Sequence, residues 1–266
     1  MSTPAQVWSY RTLIANLAQR DLKARYKRSL LGWLWSLLNP AATLGIYTLV
    51  FGVFLEGTAP GTGDGDHPAG IFALYLFCAL VVWNLFSGTI NTSIDAFRGA
   101  GQLLTRTYFP PECPMVAGLA TVLLQALLEA AILMFFMVLI TNVSWTAILI
   151  LPIFALLSCF AFGLGLVLAV LNIRYRDVAY LMGILLQVWF YATPIVYNID
   201  QVEGVARTFI DANPMTAFAY AMRQAVYSLD TPTATNWLVM VVSAAASLLI
   251  GWTLFSRLAP RVIEEL

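Results

Sequence analysis

Residues 145–171 read Trp-Thr-Ala-Ile-Leu-Ile-Leu-Pro-Ile-Phe-Ala-Leu-Leu-Ser-Cys-Phe-Ala-Phe-Gly-Leu-Gly-Leu-Val-Leu-Ala-Val-Leu, without one Asp, Glu, Lys or Arg. A hydrocarbon core about 30 Å thick is crossed by about 20 apolar residues in a helix, so this run reads as a transmembrane helix. Five more stretches reach that length: 30–55, 71–94, 115–140, 178–196 and 237–258. No stretch of ten residues alternates polar and apolar with period two, which excludes a β-barrel. Of the 266 residues, 60% are apolar and 11% charged. Mean hydropathy is +0.80. A soluble fold of this size has too little interior to hide that much apolar surface.

The 14 basic and 14 acidic residues cancel, but their placement orients the chain. Arg11, Arg20, Lys23, Arg25, Lys27 and Arg28 precede the first span. Arg98 and Arg106 follow the second, Arg174 and Arg176 the fourth, and Arg257 and Arg261 the sixth. Only Arg207 and Arg223 fall on the other side. Cations collect on the cytoplasmic side, so both termini are expected there.

The expected fold is therefore an all-α integral membrane protein with six spans in one domain, residues 30–258. Residues 1–29 form a cytoplasmic interface segment and 259–266 a cytoplasmic tail. Tyr10, Leu13, Ile14 and Leu17 recur at helical spacing, predicting an amphipathic helix in the interface. The outer loop 197–236 carries Val205, Phe209, Phe218, Tyr220, Met222 and Val226. It is too apolar for a free loop, and two short re-entrant helices, broken near Asn213-Pro214, are expected. Ala161/Gly165 and Gly165/Ala169 have the spacing of closely packed helices.

The residue inventory excludes much chemistry. The single histidine, His67, lies in a Gly/Asp-rich loop, leaving a His-based triad or metal site without partners. Cys78, Cys113 and Cys159 are scattered without zinc-ligand spacing. Lys23 and Lys27 follow no G-x-x-x-x-G-K-[ST] turn, so the chain is no P-loop ATPase. If it performs driven transport, the motor is another polypeptide. Glu129, near the middle of the third span with Gln125 one turn earlier, marks a cavity or a hydrogen-bonded helix seam.

Five motifs follow one another in order: Arg20-Asp-Leu-Lys-Ala-Arg-Tyr-Lys-Arg-Ser29 with Leu31-Gly-Trp-Leu-Trp35 and Asn39-Pro40; Arg106-Thr-Tyr-Phe-Pro110; Asn172-Ile-Arg-Tyr-Arg-Asp-Val178; Thr193-Pro-Ile-Val-Tyr197; and Asn213-Pro214. Together they resemble the permease subunit of a type-2 ABC exporter, in the polysaccharide branch that moves O antigen, teichoic acid or galactan.

The resemblance implies a homodimer in the bacterial plasma membrane, with two separate ATPase subunits that hold ATP and Mg. This chain would bind no cofactor, metal or nucleic acid. Gln102, Leu103, Leu104, Arg106, Tyr108 and Phe109, within the coupling loop 95–114, would seat in the ATPase. Arg20, Lys23, Arg25, Lys27 and Arg28 would meet anionic lipid or a pyrophosphate head group. Arg174, Arg176 and Asp177 would form a second cytoplasmic loop. A polyprenyl-pyrophosphate-linked glycan would thread past Phe51, Phe54, Trp83, Phe86, Trp189, Phe190 and Tyr191, with Glu129 nearby. Pro194, Tyr197, Asn213 and Pro214 would belong to the outer gate. Two alternatives stand beside this reading: an exporter of the same type for a drug or small lipid, and a membrane-embedded transferase, for which Asp21, Asp95 and Asp177 are poorly clustered.

Overall fold

A computed structural model describes residues 3–26, 34–47, 49–50, 72–101, 103, 109–175, 177–197 and 202–263. Two short helices open it, α1 (Pro4–Ser9) and α2 (Arg11–Tyr26). Then come α3 (Trp35–Tyr47), α4 (Phe72–Gly99), α5 (Cys113–Leu139), a 3₁₀ turn (Trp145–Leu149) and α6 (Ile150–Arg174). The chain ends with α7 (Val178–Ala192), α8 (Val205–Ala212), α9 (Pro214–Val226) and α10 (Ala234–Ile263).

Among the described residues, four stretches are long and apolar enough to cross a membrane: Phe72–Gly99, Cys113–Leu139, Trp145–Arg174 and Ala234–Pro260. The first expected span is represented by α3, and its end at 51–55 lies outside the described residues. The fifth is shorter than expected. Helix α7 has 15 residues, about 22 Å at 1.5 Å per residue. Pro194 explains where it stops, since the residue before a proline is pushed out of the helical region. Thr193 is accordingly extended, at φ −105° and ψ 134°.

The N-terminal segment also differs from the single helix expected. Thr3 and Gln6 close a reciprocal capping box on α1, and Tyr10 separates α1 from α2. The apolar face of α2 meets protein: Leu13, Ile14 and Tyr10 pack with Val7, Phe109, Cys113, Val116 and Trp252. The N-terminal helices thus sit against the start of α5 and the last turns of α10. We call this the N-helix end.

Helix α4 is the centre of the bundle. From Ala73 to Trp83 every residue is buried, because α5, α6 and α9 surround it. A ladder of rings crosses the interior. Phe86 stacks on Phe160 at 5.5 Å and Phe160 on Phe218 at 5.9 Å. Lipid is as apolar as these side chains, so close packing and hydrogen bonds, rather than water exclusion, hold such helices together. Two glycines show how close the approach is. A Cβ on Gly251 would strike the Gly163 backbone, and one on Gly163 would strike Ser247. Ser247 Oγ then donates to Phe160 O across the same seam, at 2.7 Å. Gly165 faces Ser93 of α4 instead, so small residues on α6 serve two different neighbours.

Candidate functional site

The end opposite the N-terminal helices carries α9, which packs against α4, α6 and α10 and is fastened at three points. At its start, Asn213 caps the helix, its Oδ1 accepting from Met215 N at 3.0 Å. The same oxygen accepts from Trp189 Nε1 at 2.9 Å. Asn213 Nδ2 donates to Thr193 Oγ1 at 3.0 Å and Ala192 O at 3.2 Å. One amide thus ties α9 to the end of α7.

At its finish, Arg223 O and Gln224 O accept from Tyr227 N, Ser228 N and Asp230 N just beyond the helix. Side chains between α5 and α6 reach two of the carbonyls that follow. Asn142 Nδ2 donates to Tyr227 O at 2.9 Å and Thr146 Oγ1 to Ala225 O at 2.6 Å.

Between these ends lies Arg223, 2% exposed. Its Nη1 donates to Pro194 O and its Nη2 to Ile195 O, each at 2.7 Å. Nε donates to Tyr75 O at 3.2 Å, and the guanidinium carbon lies 3.8 Å from the Tyr75 ring centroid. Three carbonyl dipoles and a π face therefore solvate a buried cation. The planar fork of arginine suits two adjacent carbonyls as a single ammonium does not. Because Pro194 and Ile195 follow α7 and Tyr75 begins α4, this one side chain joins three elements.

A second polar group lies near the middle of α4 and α5. Glu129, 6% exposed, accepts from Asn84 Nδ2 at 3.0 Å and Gln125 Nε2 at 3.4 Å. Asn84 itself is exposed. The carboxyl is therefore held in a helix seam whose outer member opens outward.

At the N-helix end, a cavity of about 320 Å³ lies between α2, the last turns of α4 and Pro114. Leu17, Arg20, Asp21, Thr92 and Asp95 are among its walls, with Leu103 at its edge. Arg20 pairs with Asp21 at 3.0 Å and Arg98 with Asp95 at 3.4 Å. Both pairs are exposed and contribute little to stability.

The remaining residues singled out from sequence are dispersed. Gln102, Leu104, Arg106, Tyr108, Lys27, Arg28, Arg176, Phe51 and Phe54 lie outside the described residues, as does the side chain of Arg25. Phe109 is buried against Val7 and Cys113, whereas Leu103 and Lys23 are exposed. Arg174 lies over the Tyr175 ring at 5.7 Å. Asp177 precedes α7 without a side-chain cap. Asn172 fills that role, its Oδ1 accepting from Ala179 N at 2.9 Å. Trp83, Phe86, Trp189 and Phe190 contact one another inside a single protomer. Phe86 is fully enclosed, while Tyr191 is exposed. Tyr197 OH reaches back to Tyr191 O at 3.1 Å.

In sequence Arg223 counts only as a charge on the outer side. The available signal was its setting, Met-Thr-Ala-Phe-Ala-Tyr-Ala-Met-Arg-Gln-Ala-Val, where an arginine interrupts an apolar helical run.

The chain is similar to named transport proteins along nearly its whole length. It is 27% identical to the O-antigen export system permease protein RfbA of Myxococcus xanthus, over 93% of this chain and 91% of that protein. It is 24% identical to the RfbA permease of Klebsiella pneumoniae, over 96% and 95%. It is also 24% identical to the polysialic acid transport protein KpsM of Escherichia coli, over 89% of each. Residues 12–227, from the start of α2 to the end of α9, match the ABC-2 type transporter family, and the chain belongs to that family.

Proposed function

We propose that this chain is the permease subunit of an ATP-driven exporter that carries a lipid-linked polysaccharide across a bacterial plasma membrane. The observation that carries the reading is the end-to-end similarity to permeases named for O-antigen export and polysialic acid transport. The geometry fits it. One end of the bundle carries α9, packed on α4 and α10, and the other bears the cavity and the exposed pairs Arg20–Asp21 and Arg98–Asp95.

In this reading the N-helix end faces the cytoplasm, supported by the twelve cations assigned there. Helices α8 and α9 then form the re-entrant outer gate, which Arg223 and Asn213 hold shut. The cations from Arg20 to Arg28 receive the anionic head group of the lipid carrier. The segment from Gln102 to Phe109 seats in a separate ATPase, whose stroke reaches α4 and α5 directly because they flank it. Two copies of the chain form the conduit. Helix α7 supports this, since only Met182 and Leu186 of its residues are buried, leaving Leu181, Ile184, Leu185 and Val188 exposed. Alanine at Arg106 or Tyr108 uncouples ATP hydrolysis from transport while the permease stays folded.

Depletion of the chain in its native cell tests the reading. A lipid-linked glycan accumulates on the cytoplasmic side if the proposal holds. Normal glycan distribution, with a drug or small lipid retained instead, would assign the other cargo class.

A further inference from the structure

We propose that one face of α4, marked by Asn84, Ser87, Asn91, Asp95 and Arg98, is the polar track along which the hydroxyl groups of the transported chain bind. This deepens the exporter reading and rests on it for the identity of the cargo.

The spacing from Asn84 through Ser87, Asn91 and Asp95 to Arg98 is three or four residues at each step, which places all five on one side of the helix. Asn84, Asn91, Asp95 and Arg98 are exposed and Ser87 is half-buried. Ser87 Oγ is used locally, donating to Trp83 O at 2.9 Å. Asn84 spends Nδ2 on Glu129 at 3.0 Å, which leaves its amide oxygen as an acceptor toward the open side. Arg98 and Asp95 pair at 3.4 Å at the mouth.

Depth makes this face unusual. Asn84 stands about 18 Å along α4 from Phe72, near the middle of the helix, and Asn91 about 12 Å from Gly99, at 1.5 Å per residue. An amide left in hydrocarbon without a partner costs several kcal/mol. The exposed faces of α5 and α10 obey that rule, with Leu124, Leu127, Phe135 and Val138 on α5 and Leu238, Val241, Leu249 and Ile250 on α10; α7 exposes a single amide, Gln187, where α4 exposes a row. The polar face of α4 therefore meets water or another polar surface.

Its two ends say which. Toward the N-helix end it meets the cavity of about 320 Å³ at Asp95, the one of the five residues that lines it. Toward the other end it stops at Trp83, beyond which α4 is buried as far as Ala73 under the helix that Arg223 pins. A polar face that opens at one end and is closed at the other is half of an alternating path. Its amides and hydroxyl match a ligand made of repeating hydroxyls, and hydrogen bonds at successive turns of α4 allow a long chain to move stepwise.

The test uses inverted membrane vesicles from cells producing Asn84→Cys, Asn91→Cys or, as a lipid-facing control, Leu127→Cys, with wild-type vesicles giving the background of the native cysteines. A charged, membrane-impermeant thiol reagent should modify Asn84→Cys and Asn91→Cys at least about tenfold faster than Leu127→Cys, since thiol reactivity follows access to water. Asn91→Leu, which leaves Glu129 and its partners intact, should lower glycan export several-fold at normal protein level. Modification as slow as in Leu127→Cys would overturn the track. High-yield cross-linking of two copies through Asn91→Cys would also overturn it, by giving the face to subunit packing, and so would wild-type export by Asn91→Leu. Failure of the polysaccharide reading shows separately: depletion of the wild-type chain would then leave glycan distribution unchanged, whatever the labelling gives.

Discussion

Arg223 on α9 places its guanidinium carbon 3.8 Å from the centre of the Tyr75 ring on α4 while donating to Tyr75 O with Nε. The same group reaches Pro194 O and Ile195 O, so three segments far apart in sequence converge on one cation. Removing it strands the carbonyls of Pro194 and Ile195, while Tyr75 O keeps its place in the backbone ladder of α4, and an unsatisfied buried acceptor costs about 1–3 kcal/mol. Arg223→Ala should therefore lose about 3 kcal/mol or more and melt well below wild type in detergent. Arg223→Lys keeps the charge but reaches fewer carbonyls, and should fall between. A wild-type melting profile for Arg223→Ala would contradict the pin.

Asn213 makes a more selective test, because its two ends do different work. Asn213→Asp keeps the oxygen that accepts from Met215 N and Trp189 Nε1 but loses the Nδ2 bonds to Ala192 O and Thr193 Oγ1. The tie between α9 and α7 then rests on Trp189 and loosens while the helix still starts. Vesicles carrying Asn213→Asp should leak small polar solutes faster than wild type at equal protein level. Tightness equal to wild type would show that the tie does not hold the closure.

Glu129 separates shape from charge. Glutamine keeps an oxygen to accept from Asn84 Nδ2 and nearly the same volume, at a cost of about 1 kcal/mol. Lysine brings donors against donors and a charge into the seam. Glu129→Gln should accumulate and export close to wild type, and Glu129→Lys should fail in both. Equal, wild-type export by both variants would remove Glu129 from seam and path alike.

The α6–α10 contact has no room for side chains. Gly163→Leu should abolish stable accumulation in the membrane, since the two helices must part by several ångströms to admit it. Leucine at Gly45, whose missing Cβ meets nothing within 4 Å, serves as the control and should leave protein yield unchanged. Similar yields for both variants would show that the close approach is dispensable.

The apolar runs made the helices legible, because each lipid-exposed or buried turn must be apolar in hydrocarbon. They hid the shortness of α7, since 178–196 carries no charge and only Thr193-Pro194 marks where the helix must stop. Periodicity names a face and not what the face meets. It therefore gave the apolar side of α2 without revealing that protein covers it. Trp83, Phe86 and Trp189 enter from sequence as channel-lining candidates, and nothing in their spacing shows that they pack on one another. Arg223 escaped because charge counting treats every outer arginine alike, and only tertiary structure brings Tyr75, Pro194 and Ile195 to it. The break at Asn213-Pro214 was readable, since asparagine before proline is a local capping signal.

The central claim is that this chain provides the route for a lipid-linked polysaccharide, driven by ATP hydrolysed on a separate subunit. Inverted vesicles given labelled lipid-linked glycan on their outer, cytoplasmic leaflet measure it directly, with and without this chain, in membranes that retain the companion ATPase. The account predicts ATP-dependent uptake of the glycan into vesicles that contain the chain, and none into vesicles that lack it. Undiminished uptake without the chain, or uptake by the purified chain alone without any ATPase, would contradict it.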